Sequence, residues 1–210
     1  MQLRLVLKLT LEQYLTGRAW ETASLPFCPL HPAGGCGLRG HGTYLRKFPE
    51  PVPIARLYCA KGHTTFSFLP DFFASRLPGT LDEVERAAVA AQTEPSREAA
   101  AQSLRPAEAL DAVTLEAAKR WTTRRVALFT AVLLAVVGLL PDRLQGVRTA
   151  SELRRRLGTE SALVALREIA APWLRSLPPP LGFGPRHGGP RRRHRALQQD
   201  SGPDPPGRER

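Results

Sequence analysis

The sequence predicts an α+β chain: a small N-terminal β unit, an all-α region after it, and a basic tail that stays disordered. Three observations carry this. Short alternating runs separated by Gly and Pro fill the first third of the chain, the pattern of strands and turns. From Leu81 the apolar residues recur at helical spacing. Beyond Gly182 the chain is mostly Gly, Pro and Arg, a composition that cannot bury enough surface to order itself.

Residues 1–27 come first. Leu3, Leu5, Leu7 and Leu9 alternate with Arg4 and Lys8, the period of a half-buried strand rather than of an unbroken apolar signal core. Thr10 and Gln13 have the spacing of a capping box for a short helix over Leu11 to Leu15, which Gly17 ends. Trp20 and Phe27 are expected to be apolar anchors against the next unit.

Residues 28–70 hold all three cysteines and three of the five histidines. An odd, crowded set of thiols argues against a disulfide framework and for a reducing, cytoplasmic setting. Cys59 and His63 form C-x3-H around Gly62, expected to take a positive φ; Cys28 and Cys36 form a looser C-x7-C with Gly34 and Gly35 before its second member. Between and after these pairs lie three strand-like runs, Gly42 to Phe48, Pro53 to Tyr58 and Thr64 to Leu69. Two knuckles on the ends of a small three-stranded sheet make a zinc-ribbon arrangement. Thiolates and imidazole suit one structural Zn2+ in a closed tetrahedral shell. The expected ligands are Cys28, Cys36, Cys59 and His63, with His31, two intervening residues after Cys28 at the usual x2 spacing, as the alternative to Cys36.

The order CP…HGTYLR, then RLYC, then TTFSFLP resembles the N-terminal zinc ribbon of a bacterial family of unknown function, common in actinobacteria and related to the zinc-binding heads of insertion-sequence transposases. The matching positions are Cys28, Pro29, His41, Gly42, Tyr44, Arg46, Tyr58, Cys59, Thr65, Phe66, Ser67, Leu69 and Pro70. In the family pattern His31 stands where a second cysteine is found, and Gly62 or His63 where a fourth is found.

The chain carries 30 Lys and Arg against 19 acidic residues, a net charge of +11, which favours an anionic partner, nucleic acid before a membrane surface. Arg39, Arg46, Lys47, Arg56 and Lys61 are expected to project from the strands and knuckles toward DNA phosphates. Tyr44 and Tyr58 interleave with them, either stacking or serving the core, and His41 bonds either a neighbouring strand or a phosphate.

Residues 80–177 read as about five helices. Thr80 with Glu83 caps the first, and Leu81, Val84, Ala88 and Ala91 form its inner face; Ser96 caps the second, over Arg97 to Leu104. A third, longer helix begins at Thr114. The order SREAAAQSL, a connector, then TLEAAKRWTTRR resembles the helix-turn-helix of transposase-like proteins, although the connector 105–113 exceeds the usual turn of roughly 3–4 residues. Lys119, Arg120, Arg124 and Arg125 are either DNA contacts or a solvated face.

The same helix runs into fifteen uncharged residues, Val126 to Leu140, which reach about 22 Å against a hydrocarbon core of ~30 Å. A buried core or self-association helix is expected in preference to a membrane span. Thr149 to Leu157, closed by Gly158, and Thr159 to Leu174, with Leu163, Leu166, Ile169 and Trp173 inward and Pro172 ending it early, complete the region. Residues 178–210 form the tail; from 186 onward it holds seven Arg against three acidic residues. The acidic residues Asp71, Glu83, Glu98, Asp111 and Glu116 lack the strand framework of a metal-binding carboxylate triad. The expectation is therefore a DNA-binding protein, transposase-derived, with no enzymatic activity and no small-molecule substrate.

Overall fold

β2 (Arg39–Arg46), β3 (Val52–Cys59) and β4 (Thr64–Pro70) form an antiparallel meander, and β1 (Gln2–Leu5) pairs in parallel with β4, so the sheet order is β1-β4-β3-β2. The computed structural model describes residues 1–48, 50–105 and 112–183. The three strand-like runs thus form as expected, but the first strand does not stand in front of the unit. Leu3 lies opposite Phe68 and Leu5 opposite Pro70, making β1 an edge strand of the same sheet. That strand ends at Leu5 because its partner ends at Pro70; Leu7 turns under the next helix, and Leu9 is exposed.

α1 (Leu11–Thr16) carries the capping box of Thr10 and Gln13 and ends at Gly17. It closes one end of the sheet by burying Tyr14 against Val52, Ile54, Leu69 and Phe73, with Trp20 and Tyr44 packed around them. Phe27 is exposed and anchors nothing. The other end of the sheet holds a smaller cluster of Cys28, Cys36, Cys59 and Phe66, flanked by Leu3 and Leu38.

The helical region follows. α2 (Leu81–Thr93) has the capping box of Thr80 and Glu83, and Ser96 caps α3 (Arg97–Ser103) through the N–H of Ala99. On α2, Leu81, Val84 and Ala88 point inward as expected, whereas Ala91 is exposed and Ala87 takes its place in the interior. α4 (Ala112–Leu139) is 28 residues long. Its residues Phe129, Val132, Leu133 and Val136 recur at helical spacing and build the main core with α2, α5 (Pro141–Leu144), α6 (Ala150–Leu157) and α7 (Ala162–Ile169). α4 is longer than the apolar run suggested: Thr114–Leu139 is long and apolar enough to cross a membrane by length and composition, although one face of it is core here.

Gly158 takes φ +64 to end α6, and Pro172 ends α7 early in favour of a 3-10 turn, Ala171–Trp173. That turn swings Trp173 outward, contrary to its expected inward position. The tail differs too. Residues 178–183 are part of the fold, with Leu181 fully buried and Phe183 against the core. The remainder, 184–210, and the connector 106–111 lie outside the described residues.

Two buried arginines join sheet and helices. Arg167 of α7 donates to the carbonyls of Asp71, Phe73, Pro180 and Leu181 at 2.6 to 3.0 Å. Arg46 of β2 donates to the carbonyls of Ala74, Leu77 and Gly79 and lies over the Phe73 ring. The turn between β4 and α2 is thereby tied to both halves of the chain.

Candidate metal centre

The ends of the β strands bring the metal-ligating residues together. Cys28-Pro29-Leu30-His31 is a tight turn, closed by the His31 N–H on the Cys28 carbonyl at 3.1 Å. The chain then reverses through Gly34, Gly35 and Gly37, all at positive φ, delivering Cys36 just before β2. Cys59 is the last residue of β3, and the Gly62 N–H donates to its sulfur at 3.2 Å. The Lys61 N–H on the Cys36 carbonyl, at 3.1 Å, links the two loops.

One ligand atom from each of Cys28, His31, Cys36 and Cys59 lies within 4.8 Å of all the others, an arrangement that can hold one metal ion. His31 Nδ1 is 3.3 Å from Cys59 Sγ and 3.8 Å from Cys28 Sγ. A tetrahedral ion with metal–sulfur bonds of about 2.3 Å sets its ligand atoms roughly 3.6–3.8 Å apart, so little movement is required. The three sulfurs are buried and His31 is partly so.

The fourth ligand differs from expectation. His63 lies outside the group; it is exposed at φ 44, with Nδ1 3.2 Å from the Tyr58 hydroxyl, and His31, expected only as a substitute for Cys36, joins Cys36 in the group instead. The turn explains the exchange. The left-handed residue is His63 and not Gly62, which rotates the His63 side chain away from Cys59. Gly62 serves another purpose: a Cβ there would meet Leu30 Cδ1 at 2.9 Å, Cys59 Sγ at 3.2 Å and His31 Cε1 at 3.3 Å. The knuckles approach each other this closely because position 62 has no side chain.

Electrostatics point the same way. Burial pushes the Cys28 thiol up, but hydrogen bonds from His31, from backbone N–H groups and from Cys36 outweigh it and bring the thiol down to about 6. Cys36 moves the opposite way, pushed up by burial and then by its sulfur neighbours Cys28 and Cys59. The thiols of Cys28 and Cys36, side by side, become thiolates together only when a cation joins them.

No family model, curated protein or solved structure matches this chain.

The residues expected to meet DNA divide into three sets. Arg46 is buried and bonded to three carbonyls, and burial lowers its basicity. Arg125 is also buried, stacked on Trp121 at 3.5 Å and donating to the Pro78 carbonyl; burial brings it down to about 10. These two are structural groups and offer nothing to a phosphate. Arg56 donates to the Thr43 carbonyl at 3.2 Å and Lys119 pairs with Glu116 at 2.7 Å. Arg39 of β2, Lys47 just after it, Lys61 in the turn after β3, and Arg120 and Arg124 of α4 are exposed.

Tyr44 packs into the Tyr14 cluster. Tyr58 instead sits at the metal end of the sheet, with Arg39 5.8 Å from its ring centre and the His41 ring at 5.4 Å. A β-bulge at His41-Gly42, with Gly42 at φ +66, turns His41 toward that surface. The grouping of Tyr58, His41 and His63 was not foreseen. The sequence signal for it was limited to Tyr58 and His41 on neighbouring strands, whose register becomes known only once paired; His63 comes from the turn between β3 and β4.

Proposed function

We propose that this chain is a DNA-binding protein built on a zinc ribbon, transposase-derived and lacking a catalytic domain. The observation that supports it is the surface next to the metal centre: the Tyr58 ring flanked by Arg39, His41 and His63, with exposed Lys61 in the adjoining turn. Cations and imidazoles on rigid strands reach phosphates, and the ring supplies a stacking face. Zn2+ fits the three sulfurs and one imidazole better than a hard cation does. With all four positions filled by protein atoms, the ion is a structural crosslink that holds Arg39, Tyr58 and Lys61 in place.

Fluorescence anisotropy with labelled duplex DNA across a salt series tests this. Affinity should fall steeply with salt, and Arg39→Gln and Lys61→Gln should each lower the log–log slope by about 1. Absence of binding at low salt would sink the proposal.

A second reading, self-association as a zinc-stabilised interaction module, is favoured by one observation. Leu134 is 70% exposed and Leu139 is also exposed, both on the apolar part of α4. Light scattering distinguishes the two, because a monomer that keeps its DNA affinity supports the first reading alone.

A further inference from the structure

A groove of about 450 Å³ runs between β1, the Cys28 knuckle and the end of the helical region, walled by Leu3, Leu30, Leu174 and Phe183. Its size falls within the range of small-molecule sites, and its walls are mostly apolar. Three arginines line it, Arg4, Arg76 and Arg175, and they are not equally compensated. Arg4 is held by Asp71 at 2.6 Å and Glu168 at 2.9 Å. Among the described residues no carboxylate pairs with Arg76 or Arg175.

Arg76 is nevertheless fixed in position. Its backbone sits at φ 54, its N–H donates to the Gln2 side-chain oxygen at 3.0 Å, and Nη2 donates to the Phe183 carbonyl at 3.1 Å. An apolar groove with two uncompensated guanidiniums suits a ligand having an aliphatic chain and one anionic head. The chain's own continuation past Phe183 is rich in Arg, so it would bring like charge to those guanidiniums.

We infer that this groove binds a single-chain amphipathic carboxylate, with the chain along Leu3, Leu30, Leu174 and Phe183 and the head group on Arg76 and Arg175. This goes beyond the DNA-binding reading and does not depend on it. It also revises the expectation that no small molecule is bound. One wall, Leu30, belongs to the turn that carries Cys28 and His31, so the ligand touches the metal knuckle directly.

The test uses the full chain with decanoate, decanol and decyltrimethylammonium, followed by calorimetry and by methyl NMR. Decanoate should bind saturably at one site and shift the Leu3, Leu30 and Leu174 methyls while leaving Val132 in the helical core unmoved. Arg76→Gln and Arg175→Gln should each weaken decanoate roughly 5-fold, with decanol changed by less than about 2-fold. Leu30→Ser should weaken both. The inference is overturned if decanoate does not saturate, if decanol or the ammonium binds as tightly, or if the shifts appear away from the groove.

Discussion

Arg167 shows at the scale of one residue why this fold needs a cation in its interior. Its guanidinium is fully buried and meets four backbone carbonyls, with no carboxylate bonded to it among the described residues; burial pushes it down to about 9. Replacing it with Met removes the charge but strands those acceptors, so Arg167→Met should cost about 3 kcal/mol or more, and Arg167→Lys, with fewer donors in the wrong geometry, nearly as much. Urea unfolding measures this, and a loss below about 1 kcal/mol would mean the carbonyls find other partners. Tyr14 gives a pH signature. Burial, and then the neighbouring Tyr44, raise its phenol from 10.0 to about 12, and its hydroxyl donates to the Pro53 carbonyl at 2.9 Å. A raised value in the folded state favours the neutral phenol. Its contribution is therefore complete below pH 10 and lost as the pH rises through about 12. Tyr14→Phe does not titrate there, so the stability gap between wild type and variant should close over that window. A constant gap from pH 9 to 12 would contradict the assignment.

At the scale of elements, α4 shows what periodicity can and cannot convey. The apolar run Val126 to Leu140 was legible as a core or self-association helix, but, being apolar nearly all round, it did not reveal that Phe129, Val132, Leu133 and Val136 are the side that faces the core. Arg125 was not. A cation ahead of an apolar run reads as solvated, yet here it turns inward onto Trp121, one turn back, and onto the Pro78 carbonyl from another element. Arg46 was misread for the same reason: its partners Ala74, Leu77 and Gly79 are remote in sequence. The capping boxes at Thr10, Thr80 and Thr149 are local, and the first two were readable from residue type alone. The exposed side of α4 carries its own prediction. Leu134→Glu should change stability by less than about 0.5 kcal/mol, since the side chain packs on little. If α4 mediates self-association, the same change should convert any dimer to monomer in light scattering; a dimer that survives it uses another surface.

At the scale of the whole molecule, the candidate metal centre lies at only one end of the sheet, with Phe66, Leu3 and Leu38 around it, while the Tyr14 cluster and the helical core are separate apolar groups. Chelation should therefore strip hydrogen-exchange protection from β2 near Arg39 and from the Cys59–Thr64 turn, and leave residues 129–136 of α4 protected. Simultaneous loss of both would mean the Cys28–Cys59 end of the sheet holds the entire fold. The density of cysteines made the centre readable before any geometry, as did the x2 distance between Cys28 and His31. What spacing could not convey was the direction of the last ligand, because that depends on which residue of the Gly62-His63 pair adopts the left-handed backbone. Native mass spectrometry of the zinc-loaded chain, with His31→Ala and His63→Ala side by side, measures that choice most directly. One zinc should be retained by wild type and by His63→Ala and lost or much weakened in His31→Ala. Retention in His31→Ala with loss in His63→Ala, or a wild-type chain that takes up no zinc, would contradict the centre described above.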